Sequence, residues 1–527
     1  MAVVVGLAGC GPVDRFLGHE AAPAHQGDLH LARDMFDTGF EDIDAFYIDD
    51  PDLGALALAG LSSLAETDPK IGFRREPGQV VFLYDGAPVR ALPIADEAGA
   101  EEWGDLTAAA VRAARDSSPS LRAAAEEDIY QTMFSAMMKH LDGFSRYASA
   151  KAAAENRAQR EGFGGIGIAI AVEDDTVKIL SVMHYTPAER AGLKANDVIT
   201  EVDGRPLKGL KQDAVIALLR GPVGSTVQLG LLRDGQPLTR SLTREHIVPE
   251  TVAYHREDDI AYFRLSSFNS ATADNLTKSL EGAVGELGSR LKGLVLDLRG
   301  NPGGLLDQAV DVSDLFLDGG RIVSTHGRHP DSHQYFEARP GDIAHGLPIV
   351  VLIDGNSASA AEIVAAALQD RGRAVVVGSN SYGKGSVQTV LRMPNDGELT
   401  LTWARFHAPS GYTLNDLGVL PSICTNAGDH DPNKLIAALR AGKLKPVPAD
   451  LRATISPTDT AGLHRLREEC PVRSSEDDDN VDLQLALRLL DDHGLYDRAI
   501  RLGSAPGGIS TAAMTAPGPR AAPRHRP

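Results

Sequence analysis

Several large functional classes are set aside by what this chain lacks. Of its 527 residues only three are cysteine, Cys10, Cys424 and Cys470, so there is no Cys-x-x-Cys pair, and its sixteen histidines form no cluster that reads as a metal site. No run of 18 apolar residues is present, which argues against a membrane-spanning helix. Positive charge is in deficit. Fifty-two Lys and Arg face 72 Asp and Glu, and the resulting net charge of −20 argues against nucleic acid or an anionic membrane surface as a partner. Nothing reads as a dinucleotide-binding unit, no glycine turn ends in the Gly-Lys-Ser/Thr of a P-loop, and no Gly-x-Ser-x-Gly elbow frames a serine. The expectation is a chain that works without metal or cofactor.

What is present is a composition for sizeable cores, 43% hydrophobic and 24% charged, at a length that predicts more than one domain. The rest is organised around Asp354 to Gln388. Ile349 to Ile353 is a short β-branched run, Gly355-Asn-Ser-Ala-Ser359 has turn and N-cap chemistry, and Ala360 to Gln369 carries apolar residues at helical spacing. Ser359 therefore falls at a helix mouth, where unpaired backbone N–H groups and the positive end of the dipole favour an oxyanion beside it. Ala360 supplies the nearest donor. A serine needs a base near neutral pH, and Lys384, between Gly383 and Gly385 after the strand Ala374 to Gly378, is the candidate. It serves only if desolvation lowers its pKa well below ~10.4. Gln388 could orient the amine without adding a charge that would raise that pKa. Taken singly, a serine at a helix start is usually a cap and a Gly-Lys-Gly turn a solvated loop. Ser357 competes as nucleophile, and His407 keeps a Ser-His-Asp arrangement open in principle.

These residues resemble the carboxy-terminal processing peptidases, serine proteases with a Ser-Lys-Gln arrangement and an embedded PDZ domain. Ser359-Ala-Ala-Glu362 is similar to the nucleophile motif, Gly383-Lys384-Gly385 to the base motif, and Gln388 follows four residues later. Ala361 departs from the second serine often found there, and Ser422 from an aspartate near the closing Gly418-Val-Leu-Pro421. Asp297-Leu-Arg299-Gly-Asn-Pro-Gly303-Gly304 resembles the family's glycine turn, which implies Gly303 or Gly304 as the second oxyanion donor beside Ala360. A purely structural tight turn is the alternative. Phe163 to Ile168, with Thr186 to Leu193, Asn196 to Ile199 and Val202-Asp-Gly204, resembles a PDZ domain running to about Glu245. The resemblance implies that Gly164, Gly165, Ile166, Gly167 and Ile168 hold a substrate C-terminus through their amides, with Asp213 to Leu219 as the other groove wall. A PDZ domain that acts only as a spacer is the alternative.

The expected fold class is multidomain α/β: a mainly helical N-terminal domain at 28–161, a β-rich PDZ domain with two helices at 162–248, a ClpP/crotonase-like protease core at 249–430, and a helical region at 431–502. Val80 to Tyr84 and Val89 to Leu92 read as a strand pair around Asp85-Gly86. Residues 503–527, rich in Pro, Ala, Gly and Arg, read as a disordered tail. Residues 1–10 end in Leu7-Ala-Gly-Cys10, similar to a lipobox with Cys10 lipidated, and 11–27 read as a tether. A buried strand without a targeting role is the alternative reading of 1–10. A cell-envelope, periplasmic location follows from the lipoprotein reading. If Cys10 carries lipid, Cys424 and Cys470 remain, either paired or as two unrelated thiols.

The leading functional expectation is a serine endopeptidase that takes proteins or peptides with accessible C-termini and cuts them with Ser359 and Lys384. A non-catalytic ligand-binding protein on the same scaffold is the alternative, and a crotonase-like acyl-CoA enzyme a third. Whether an adaptor delivers substrates, and the oligomeric state, stay open.

Overall fold

The computed structural model describes residues 27–426, 431–444, 452, 454–456, 458–473 and 480–504. Cys10 with the expected lipobox, most of the expected tether, residues 474–479 and the tail beyond 504 lie outside the described residues. The chain divides into two compact units. The first is formed by residues up to Asp44, Asp52–Met137 and Met393–Asn395, and the second by Ala45–Pro51, Met138–Arg392 and the chain from Asp396 on.

The first unit packs helices around a three-stranded antiparallel sheet of Ile71–Glu76, Gln79–Tyr84 and Ala87–Pro93. Asp85 and Gly86 join the last two strands with φ of 54° and 77°, the conformation a tight hairpin turn needs. Met133 and Met137 are fully buried, as core residues.

In the second unit, residues 168–243 build a sheet in the order Gln236–Thr243, Thr226–Arg233, Val198–Val202, Thr176–Val182, Ile168–Glu173, flanked by helices Pro187–Arg190 and Gln212–Leu219, while Phe163–Gly165 and Glu245–Ile247 pair as a separate two-stranded sheet. Ile168–Glu173 is the edge strand, so one side of its backbone is unpaired within the sheet. Arg244 closes the C-terminal end of Gln212–Leu219 by donating to the carbonyls of Leu218 and Leu219, both at 2.9 Å.

The protease-like core is a six-stranded sheet in the order Val252–Glu257, Ile260–Leu265, Gly293–Asp297, Ile349–Ile353, Ala374–Gly378, Ile423–Cys424. Only the first pair is antiparallel. Every residue of Gly293–Asp297, Ile349–Ile353 and Ala374–Gly378 is buried, which is why these segments read as continuous apolar runs and not as alternating ones. The alternation is between two cores. Leu294, Leu296, Ile349, Val351 and Val376 pack with the helices Thr272–Leu287, Leu306–Asp314 and Ala360–Asp370. Val295, Val350, Leu352, Val375 and Val377 pack on the other face with Pro432–Arg440, Asn480–Asp491 and His493–Gly503. The C-terminal helices are thus the second covering layer of this sheet. A second sheet, of Gln334–Ala338, Gly320–His326, Glu398–His407 and Ser386–Arg392 with Arg146–Ala148 on the same long strand, carries the segment after Lys384.

Candidate active site

Parallel strands deliver their loops to one end of the sheet, and three such loops meet: 297–304, 354–359 and 379–385. The first two are tied by Asp354, whose Oδ1 accepts from the N–H groups of Gly300, Asn356 and Ser357. The competing nucleophile is used up here. Ser357 is fully buried, and its hydroxyl donates to the Leu298 carbonyl at 2.8 Å and accepts from Asp354 N–H at 2.9 Å.

Ser359 is different. It is half-buried, with φ 54° and ψ −115°, a region that costs a non-glycine residue on the order of 1–3 kcal/mol and persists only where surroundings impose it. Its hydroxyl has no hydrogen-bond partner among the described residues. The strained backbone is held by Glu362, whose Oε2 accepts the Ser359 N–H at 2.7 Å. The same oxygen accepts Lys384 N–H at 3.0 Å, while Oε1 accepts Gly383 N–H at 2.7 Å and the Ser381 hydroxyl at 2.5 Å. One buried carboxylate therefore pins the serine turn to the lysine turn. Burial pushes its pKa up against the pull of these hydrogen bonds.

The Lys384 side chain is half-buried, with Nζ 5.3 Å from the centre of the Phe144 ring. Burial, then the neighbouring Arg146 cation, holds its pKa below the usual lysine value, against the opposing carboxylates of Glu362 and Asp142. The lysine makes no hydrogen bond to Ser359 or Gln388. The Gln388 amide nitrogen instead donates to Ser386 Oγ at 2.9 Å, and its carbonyl oxygen accepts no hydrogen bond among the described residues. His407 packs against His326, ring centres 5.1 Å apart, and does not bond Ser359.

The glycine turn abuts the serine. A Cβ on Gly303 would lie 2.8 Å from Ser359 Cβ and 3.0 Å from Ala360 N, and φ there is +99°. The Gly303 N–H is already taken by Asn301 Oδ1 at 2.8 Å. Ala360 and Gly304 keep N–H groups with no partner among the described residues. A cleft of about 480 Å³ is lined by Phe144, Gly300, Pro302, Asn356, Ala358, Tyr382 and Lys384, residues of all three loops and the neighbouring Phe144.

Between Phe163–Gly165 and Ile168–Glu173, the N–H groups of Ile166 and Gly167 likewise have no partner among the described residues, whereas Gly164 and Gly165 lie in the strand paired with Glu245–Ile247. A Cβ on Gly167 would sit 2.4 Å from Thr186, so this turn needs glycine. On the flanking helix, Val215 is buried in the domain core and Leu218 is half-buried.

Reasoning from the sequence missed Glu362 as the hub. The signal was available, since an acid three residues after a serine at a helix start is a capping-box pattern. It also missed Phe144, Arg146 and Asp142, which no local pattern connects to Lys384.

A model of peptidase family S41 matches residues 259–425, and a PDZ domain model matches 164–243. The chain is 40% identical over 302 residues to the carboxy-terminal-processing protease of Bartonella bacilliformis, covering 56% of this chain and 70% of that one. It is 34% identical over 270 residues to the carboxy-terminal processing protease CtpA of Bacillus subtilis, covering 51% of this chain and 57% of that one. Among solved structures, a photosystem II D1 C-terminal processing protease shares 26% identity over 74% of this chain and 92% of that one, with a TM-score of 0.37. The chain is thus a serine-type peptidase with an embedded PDZ domain. It belongs to peptidase family S41, in the company of the carboxy-terminal processing proteases.

Proposed function

We propose that this protein is an endopeptidase that captures protein C-termini in its PDZ domain and cuts them with a Ser359–Lys384 dyad. The observation that carries the reading is the Glu362 carboxylate, which accepts both the Ser359 and the Lys384 N–H and so ties the turn of a strained serine to the turn of a desolvated lysine. Ser359 Oγ attacks the scissile carbonyl carbon as neutral Lys384 takes its proton. Charge developing on the carbonyl oxygen is met by the free N–H groups of Ala360 and Gly304, with Gly303 shaping the turn. The lysine ammonium then protonates the leaving amine, and water hydrolyses the acyl-enzyme with Lys384 again as base. Gln388, anchored on Ser386, offers its carbonyl oxygen to orient the amine.

In the PDZ domain the unpaired N–H groups of Ile166 and Gly167 suit a terminal carboxylate, and the free edge of Ile168–Glu173 suits an added substrate strand. We place the chain in the bacterial cell envelope, with Cys10 as lipid anchor. The Cys424–Cys470 disulfide supports an oxidising compartment. The non-catalytic alternative has no use for a strained serine beside a desolvated lysine.

The test is cleavage of an unfolded protein by Ser359→Ala and Lys384→Ala. Each is expected to abolish cleavage while circular dichroism stays that of the wild type, and the double variant is expected to be no worse than either single one. Wild-type cleavage by Ser359→Ala would overturn the assignment.

A further inference from the structure

Besides Glu362, the lysine turn is braced by residues from beyond 425, where the family's match ends. Arg467, on the helix Thr460–Glu468, donates to the carbonyls of Ser381 and Tyr382, both at 3.3 Å, and across the turn to those of Asp416 at 3.3 Å and Leu417 at 3.0 Å. Ser381 and Tyr382 immediately precede Gly383 and Lys384, so one planar guanidinium clamps the backbone that carries the base. Three residues on, Cys470 is bonded to Cys424, with Cα atoms 5.7 Å apart. Cys424 pairs with Gly378, the residue that ends the strand leading into the lysine turn.

The same segment reaches the other two loops. A Cβ on Gly355, in the serine turn, would lie 2.1 Å from Val472 Cγ1. Arg473 donates to Asp482 at 2.8 and 2.7 Å, and the fully buried Asp482 lies 3.4 Å from Arg299, which opens the glycine turn. Residues 467–473 thus touch, directly or through Asp482, every loop of the site.

We propose that residues 467–473 are a disulfide-anchored buttress of the active site, in which Arg467 is the positioning residue for the lysine turn. The proposal rests on the Ser-Lys reading above. Lys384 lies by the Phe144 ring and feels the charges of Arg146, Glu362 and Asp142, and Arg467 feels those of Glu362 and Asp416. Loosening the turn admits water to the ammonium, raises the lysine pKa towards its ordinary value and leaves less neutral base. Reduction by a dithiol does this chemically. The S–S bond breaks, two electrons and two protons pass to Cys424 and Cys470 as thiols, and the dithiol closes to its own disulfide. The chain is then a weaker peptidase wherever its thiols stay reduced and reaches full activity once they are oxidised.

The experiment measures kcat, KM and the pH–rate profile of the full chain on an unfolded protein. It compares the oxidised wild type, the wild type treated with dithiothreitol, Arg467→Ala, Arg467→Lys and the Cys424→Ser/Cys470→Ser pair, with Ser359→Ala as blank. For Arg467→Ala, kcat is expected to fall by about ten- to a hundred-fold, the range one lost charged hydrogen bond gives, with KM nearly constant and the rising limb moved to higher pH. Arg467→Lys should fall between, because an ammonium reaches fewer carbonyls. Dithiothreitol should shift the wild type in the same direction and leave the Cys424→Ser/Cys470→Ser variant unchanged. An unmoved limb and kcat in Arg467→Ala, even with a lowered melting temperature, would reduce Arg467 to a stability residue and overturn the proposal. An unchanged wild type whose thiols titrate as reduced would overturn the disulfide's part in it. Residual cleavage by Ser359→Ala would instead sink the dyad reading, whatever Arg467 does.

Discussion

Replacing Glu362 by Gln keeps the shape of the hub and removes its ability to accept on both oxygens. Oε2 serves Ser359 and Lys384, and Oε1 serves Gly383 and Ser381, whose own Oγ already accepts from Val419 N–H at 2.7 Å. An amide must put its NH2 group on one side. With nitrogen at the Oε2 position, two backbone N–H groups face another donor. With nitrogen at the Oε1 position, the Gly383 N–H faces a donor, and the Ser381 hydroxyl, already accepting from Val419, loses the acceptor for its own proton. A buried donor left unsatisfied costs about 1–3 kcal/mol and either orientation strands two, so the cost is roughly 2–6 kcal/mol whichever way the amide turns. Because the lost bonds fix the serine and the base relative to each other, kcat should fall at least about ten-fold while KM, set by substrate groups elsewhere, moves little. Steady-state kinetics with a thermal melt reads both effects. A Glu362→Gln enzyme with wild-type kcat and an unchanged melting temperature would refute the reasoning.

The remaining expectations are of the same kind. Arg146→Met removes a cation that lowers the Lys384 pKa, so the rising limb of the pH–rate profile should move to higher pH; a limb that stays put removes Arg146 from the site's electrostatics. Lys384→Met should raise the melting temperature while abolishing activity. A lysine with a depressed folded pKa destabilises the fold fully below that pKa and ceases to do so above its unfolded value, so the gain should be largest at about pH 6 and shrink towards pH 10. A gain independent of pH would mean that the lysine is not desolvated. Gly303→Ala forces a side chain into a φ of +99° and to within 2.8 Å of Ser359 Cβ, and should inactivate the enzyme in a cleavage assay more severely than the same change at the exposed Gly341. Amidating a peptide's C-terminus should weaken its binding about ten-fold or more in a fluorescence titration, since two N–H groups lose a charged acceptor. Equal affinity of acid and amide would make the PDZ domain a spacer.

What could be read from the sequence was whatever local pattern encodes. The runs Ile349–Ile353 and Ala374–Gly378 announce buried strands because they are apolar on both faces, and Ser359 and Lys384 stand out because turn chemistry and flanking glycines mark them. The choice between Ser357 and Ser359 needed hydrogen bonds, because only the fold reveals that the Ser357 hydroxyl is committed to Leu298 and Asp354. In the proposed mechanism Gly304 is preferred to Gly303 as donor because the Asn301 side chain already accepts the Gly303 N–H. Phe144 and Arg146 meet Lys384 only because Arg146–Ala148 pairs with the long strand Glu398–His407, a long-range contact with no periodic signature. The apolar faces of the C-terminal helices were legible, but their target was not: an amphipathic stripe says that a helix is covered, not by which sheet.

The central claim is that Ser359 forms a covalent acyl bond with the substrate while Lys384 takes the proton. Its most direct test is rapid mixing of the enzyme with an activated peptide ester, acid quenching, and mapping of the adduct by mass spectrometry. One acyl group per chain is expected, on the peptide that contains Ser359, forming faster as pH rises through the depressed lysine pKa and absent in Lys384→Ala. An adduct on any other residue, or one that forms at the wild-type rate without Lys384, would contradict it.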